Sequence, residues 1–347
     1  MIRIVMAIAG AGVAVLLVTA FDDAKPVASV DGETHLASVR QLTFGGENAE
    51  AYFSMDGKKL TFQSTRPPFR ADQIFTMNVD GGDVRLVSTG KGRTTCSYWF
   101  PDGKELVYAS THLGGDEPPP PADRSHGYVW PVYGTYDVFR CNADGSNLRR
   151  LTNEPGYDAE CAVSPDGKRI VYTSVASGDL EVWTMDADGS HKQQITHTPG
   201  YDGGPFFSWD GKWICYRGAR PTGDELDEYL RLLSLELVKP FALNLYIISS
   251  EGGEPIRVTD LPGAQFCPFF HPDNRRLIFA SNHHGGVMEF DLFMVNIDGT
   301  GLERITYAPE FDAFPMFSAD GKMLVWGSNR YNGGTTSTNV FLADWVD

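Results

Sequence analysis

Eight side chains able to carry charge or take up a proton fall at two fixed offsets in this 347-residue chain. Ten residues after a recurrent turn Asp come Arg66, His112, Arg220, His283 and Arg330, with Ala176 at the one remaining site. Eight residues before that Asp come Asp158, Asp202 and Asp312, with Asn48, Thr94 and Gln265 in the other units and Glu50 and Glu160 two residues further on. Bases and carboxylates facing each other around one mouth would hold a cation or a basic peptide terminus. A carboxylate pair would also serve acid–base chemistry on a glycoside. The competing reading is architectural: the pairs latch repeating units together through charge-assisted hydrogen bonds. His112, His283 and His284 would add to a metal site, yet they lack ligand spacing, so no cofactor is expected beyond a divalent cation at that mouth.

These residues are positioned by a repeat. Six segments of the Ser-Pro-Asp-Gly-Lys type place their Asp at 56, 102, 166, 210, 273 and 320, spaced 46, 64, 44, 63 and 47 apart. The base period of about 45 matches four strands per propeller blade. Each unit alternates apolar and polar residues, as in Arg169-Ile170-Val171-Tyr172-Thr173, and a second Asp-Gly turn precedes a short strand ending in Leu-Thr or its equivalent. Period-2 alternation between turns is a β signal. The last unit lacks its fourth strand, while Arg40-Gln41-Leu42-Thr43 supplies that pattern ahead of the first. The fold class is therefore all-β: a six-bladed β-propeller closed by residues 40–44, whose return to the last blade removes an exposed sheet edge. Phe53, Trp99, Val163, Phe207, Phe270 and Phe317 share one repeat position and are expected between blades.

The pattern Ser-Pro-Asp-Gly-Lys…Met-Asn/Asp-x-Asp-Gly…Leu-Thr resembles the WD-like repeats of the TolB family of bacterial propellers, over about Arg40–Asp347. That family carries an additional α/β domain before its propeller; about 19 residues lie here between the expected leader and residue 40, and so the resemblance is expected to be to the propeller domain. It implies an exported binding module and does not carry Tol–Pal function across. Similar propellers precede serine-peptidase domains, but the sequence holds no Gly-x-Ser-x-Gly. Oligogalacturonate lyases are propellers of this general kind with rim histidines, which keeps a carbohydrate-active lyase or hydrolase as the alternative, along with an accessory propeller for a separate hydrolase.

Residues 1–20 read as a signal peptide: Arg3, an uncharged run to Ala20, and Val18-Thr19-Ala20 before the expected cleavage site. Retention as an anchor is the alternative, because the run lies at the lower edge of spanning length. Residues 21–39 read as a linker. The expected location is periplasmic or secreted. A net charge of −16 repels phosphate backbones and anionic headgroups, so nucleic acid is excluded as a partner and no membrane insertion is expected beyond the leader. The charge also disfavours polyuronate substrates. The five cysteines form no CxxC pair; a disulfide between Cys96 and Cys161 is weighed only because neighbouring first strands bring them close.

Both insertions that lengthen the repeat, at about 112–136 and 218–242, follow a second strand and so fall on one face, marking it as the binding face. The first has Pro118–Pro121 and then Tyr128, Trp130, Tyr133 and Tyr136, aromatics of the kind that anchor interfaces or, equally, fold back over the rim. The second predicts a helix capped by Thr222 and Glu225, with Leu226, Leu230, Leu233 and Leu237 on its buried stripe and Pro240 ending it. Two walls of a cleft over the third blade are expected. The partner class is a protein or peptide, bound by a monomer or by a member of an envelope complex.

Overall fold

The structure, a computed structural model, describes residues 24–309 and 311–347. The expected leader, residues 1–20, lies outside the described residues. Six antiparallel sheets are arranged as a six-bladed propeller. Blade three shows the plan: Asp158–Val163 innermost, then Arg169–Ser174, Glu181–Asp186 and the short outer Gln193–Gln194.

Local chemistry explains why the unit repeats. In the first hairpin turn of blade one, the Ser54 hydroxyl donates to Asp56 at 2.7 Å and accepts the Lys59 N–H at 3.0 Å. The Asp56 carboxylate also accepts the Lys58 N–H. The turn thus satisfies its own backbone, and Gly57, at φ +68°, takes the left-handed conformation this turn needs. The Thr of the fourth strand has a second task. Thr152, Thr196, Thr259 and Thr306 each accept a third-strand N–H, at 2.8 to 2.9 Å, and Ser88 does the same in blade one. Without that hydroxyl the buried amide would be orphaned.

Blade six is completed from the other end of the chain. Leu36–Gln41 pairs antiparallel with Asn339–Trp345, placing Arg40 opposite Leu342, and Thr43 accepts the Val340 N–H at 2.8 Å. The closing strand begins earlier than residue 40, and Lys25–Pro26 adds a fifth strand outside it. The stretch read as a linker is therefore folded from Lys25 onward. The reason is Glu33, which is buried and accepts from Arg330 at 3.0 and 2.9 Å, alongside Asp312 at 2.7 Å. A charged hydrogen bond to a buried guanidinium is worth making, and it pins the segment to blade six.

Between blades the shared repeat position packs as expected. Phe53, Trp99, Val163, Phe207, Phe270 and Phe317 are all buried. Among the described residues no helix is long and apolar enough to cross a membrane.

Candidate functional site

The two insertions meet. Trp130–Pro131 from blade two and Leu237–Val238 from blade four form a two-stranded antiparallel ribbon, with Val238 opposite Trp130. The Val132 N–H donates to the Glu236 carbonyl at 2.8 Å, and the Gly134 N–H to the Glu236 carboxylate at 3.0 Å. What the sequence suggested as two walls of an open cleft is instead one roof. The helix is shorter than expected, Asp224–Leu233. Gly223 occupies its N-cap without a side-chain bond, so the Thr222 capping box does not form. Asp224, Glu225 and Asp227 favour the helix's positive end in its place. Its buried face carries Tyr229 and Leu232, whereas Leu230 is exposed and Leu237 belongs to the ribbon. Tyr229 sets this rotation, because its hydroxyl donates to Asp179 of blade three.

Under the ribbon lies a cavity of about 470 Å³ at the channel mouth. Its roof includes Tyr128, Trp130, Val132 and Val238. Below, the rings of Tyr52, Tyr98 and Phe206 interlock at centroid distances of 5.4 to 6.0 Å and close the channel. The side wall is formed by Phe266, Phe290, Phe311 and Phe314, which contact one another edge-on or tilted.

Every inner strand contributes through the same irregularity. Each carries a β-bulge, and at the bulge sit Glu50, Cys96, Glu160, Gly204, Cys267 and Phe314, all at φ between +47° and +60°. A bulge re-aims one side chain, and all six of these positions line the cavity. Gly204 is the telling member. A Cβ built there would fall 2.0 Å from the Arg217 guanidinium, so glycine at this position makes room for the arginine.

Arg217 is the cavity's organising charge. It donates to Glu160 and to the Tyr201 hydroxyl, which in turn donates to Glu160 at 3.1 Å. The Gly204 N–H and the Thr173 hydroxyl also donate to Glu160, both at 2.8 Å. The guanidinium lies 5.2 Å from the Trp130 ring centroid and 5.3 Å from that of Tyr201. Asp72 and Arg93 form a second ion pair at 3.2 Å. Glu50 is different: its Oε2 is buried and accepts no hydrogen bond among the described residues. Burial is the main cause that raises its carboxyl to about 7.

The structure separates the residues that the sequence grouped. Of the expected rim set, Glu50 and Glu160 line the cavity, as do all four insertion aromatics, Tyr128, Trp130, Tyr133 and Tyr136. Tyr136 is buried and edge-on to Tyr157, whereas Tyr128 stays exposed. The remaining rim residues turn into their own blades. Arg220 bonds Asp202 at 2.5 Å and covers the Tyr246 ring. Arg66 bonds Asn48 and Ser64, and Arg330 is held by Asp312 and Glu33. The His112 and His283 rings sit on Phe139 and Phe293 at 4.4 and 4.5 Å, each with Nδ1 at a serine hydroxyl. Asp158 is buried, and desolvation raises its carboxyl to about 6. None of these eight lines the cavity.

The histidines do not converge on a cation either. His112 stands in blade two, apart from His283 and His284. His284, Glu289 and Asp291 have ligand-like spacing, but the Asp291 Oδ2 is already held by Arg304 at 2.6 Å. All five cysteines are free; the Cys161 thiol donates to the Cys96 carbonyl at 3.3 Å.

Sequence reasoning missed Arg217, Tyr201 and the phenylalanine wall. A signal for Arg217 existed. Seven residues after the turn Asp, the other blades carry Gln63, Ala109, Thr173, Ala280 and Gly327, so a long cation at 217 is the outlier.

TolB from Acinetobacter baumannii superposes with a TM-score of 0.59 at 16% identity, covering 80% of this chain and 62% of that one. The fold is that of a TolB-like six-bladed propeller. An oligogalacturonate lyase from Vibrio parahaemolyticus also superposes, with a TM-score of 0.55 at 13% identity, covering 93% and 98% of the two chains. No family model matches. In sequence, a TolB homolog of Chlorobium chlorochromatii is 25% identical over 152 residues, 43% of this chain. The aligned segments span 15% to 34% of the length of the curated relatives.

Proposed function

We propose that this TolB-like propeller is an exported, non-catalytic binding module that receives a protein or peptide partner at its lidded channel mouth, as an envelope scaffold. The observation that carries this reading is the ribbon between Trp130–Pro131 and Leu237–Val238. Two insertions from separate blades have been recruited to roof one aromatic cavity. Its volume falls in the range of pockets that take a compact ligand or a few side chains, about 300–1,000 Å³. Exposed Tyr128, Phe241, Val287 and Met288 line it at the outer lip, an apolar collar on a chain that is otherwise strongly acidic. The likeness to TolB supports the envelope assignment.

The alternative, a carbohydrate-active enzyme, draws support from the fold shared with the lyase. Against it, His112 and His283 are spent on serine and phenylalanine contacts away from the cavity. Selection of a random peptide library on the purified propeller tests the proposal. The expected result is a set of peptides sharing an apolar or aromatic residue, whose binding is lost in Trp130→Ala and kept in His283→Ala. Equal recovery on wild type and Trp130→Ala would overturn it.

A further inference from the structure

The ionisable groups of the cavity do not balance. Among the described residues its lining carries the carboxylates Glu50, Asp72 and Glu160 and the guanidiniums Arg93 and Arg217. Asp72 is matched by Arg93, and Glu160 by Arg217, two hydroxyls and a backbone N–H. One carboxylate is left over. Glu50 comes from the bulge of blade one, at φ +52°, and its Oε2 is buried without a donor. The Cys96 thiol hydrogen-bonds this carboxyl, but the buried Oε2 stays unmet, and a buried carboxylate without a cation of its own is costly. Tyr52 stands beside it, and the same cavity is lined by the aromatic faces of Tyr136, Tyr157, Tyr201 and Trp130. Trp130 and Tyr201 already carry one cation, the Arg217 guanidinium, near their rings. The site thus lacks a positive charge, and its walls suit a cation with an apolar body.

We infer that the cavity is a receptor site for an ammonium group carried on an aromatic or apolar body, with Glu50 as its counter-ion. The inference rests on the channel mouth being the binding site, and it narrows what that mouth accepts. The ammonium pairs with Glu50, and the attached ring or alkyl group lies against Phe266, Phe290 and Phe314. The source is either a free amine or the N-terminal residue of a chain; the chemistry of recognition is the same.

The groups facing Glu50 are the thiols of Cys96, Cys161 and Cys267, the Tyr52 hydroxyl, and the charges of Glu160, Arg217 and Asp72. Burial pushes the thiols and Tyr52 upward, so they stay neutral through the physiological range. Glu50, raised to about 7, is the group that changes charge there. An alkylammonium stays protonated throughout, as Lys does. Binding of a small alkylammonium should therefore strengthen as pH rises from 6 to 8, whereas a chain terminus, whose α-amino group deprotonates at about 8, should bind best in between.

Calorimetric titration of the intact protein with 2-phenylethylamine, 2-phenylethanol and 3-phenylpropanoate tests this. The amine is expected to bind at least tenfold more tightly than the alcohol, about 1.4 kcal/mol, and the carboxylate not at all. Glu50→Gln, which preserves shape, should erase the preference and flatten its pH dependence, with thermal melting confirming the fold. Phe-Gly-Gly with a free and with an acetylated N-terminus distinguishes the sources: tighter binding of the free tripeptide than of 2-phenylethylamine assigns a chain terminus, and the reverse a small amine. Equal affinity for amine and alcohol, no binding by either, or a preference that survives Glu50→Gln would overturn the inference. So would stabilisation by calcium chloride alone without any response to the amine. Library peptides that bind wild type but not Trp130→Ala, without needing a free amine, would leave the proposed binding function standing while removing this one.

Discussion

Trp130 and Val238 face each other as backbone partners although they belong to insertions in different blades. Blade three, which lies between, has only a short turn at the equivalent place, and so the ribbon passes over it. The lid is anchored at two blades, closed by its own hydrogen bonds, and packed through Val132, Tyr136, Tyr229 and Val238 against the propeller. Its stability should be separable from that of the propeller.

Replacing Val132 with Pro removes the N–H that bonds the Glu236 carbonyl. One such bond is worth about 1 kcal/mol. Amide exchange should accelerate across residues 128–136 and 236–241 while the melting temperature of the blades moves little. Unchanged exchange in the lid would show that side-chain packing, and not the ribbon, holds it.

Arg217 neutralises Glu160 in a buried setting. Removing one partner of such a pair costs about 3–5 kcal/mol, because the other is stranded. Arg217→Met is expected to lower stability to denaturant by that order. Glu160→Gln in the same background should recover part of the loss, and a double-mutant cycle measures how much.

Gly204→Ala reaches the same pair by sterics, with the backbone strain of φ +60° added. The added methyl would occupy the place of the Arg217 guanidinium. The substitution should push the arginine off Glu160 and lower stability toward the Arg217→Met value, whereas Gly57→Ala in an exposed turn should cost only the backbone strain of a positive φ, about 1 kcal/mol.

Several buried carboxyls, Glu50 and Glu181 among them, give the protein a defined pH dependence. Burial raises Glu50 to about 7 and Glu181 to about 8. Between the ordinary carboxyl range and these values the folded state holds protons that the unfolded state has released. Stability therefore falls as pH rises from about 4.5 through 8. Glu50→Gln and Glu181→Gln should each flatten that decline, by about 1 kcal/mol or more at pH 8, as read from denaturant midpoints across pH.

The repeated threonine gives a control outside the site. Thr306→Val keeps the shape but strands the Leu292 N–H. A loss of about 1–3 kcal/mol is expected, with no effect on any binding at the channel mouth.

The architecture was legible because its instructions are local and repeated six times. A Ser that caps its own Asp-Gly turn in four units and a Thr that supplies a hydroxyl to a strand amide act within one unit, and one repeat position supplies the residue packed between blades. Even the ring closure was readable, since Arg40–Thr43 is a recognisable strand without a blade. The insertions' common face follows from the same count, and Glu50, Glu160 and the four insertion aromatics, singled out by repeat position and insertion, line the cavity.

The cavity itself was decided by contacts that no repeat encodes. Arg217 meets Glu160 from the next blade, Val238 meets Trp130 across blade three, and Glu33 reaches Arg330 from the far end of the chain. Repeat position told which residues are equivalent, but not that the Arg and His of the second-strand loops would fold onto their own blades. Those side chains lie where a neighbouring ring and carboxylate or hydroxyl already satisfy them, whereas the bulge residues point into the channel because a positive φ re-aims them. Backbone geometry of that kind follows from the curvature of six sheets around one axis, which only the assembled ring possesses.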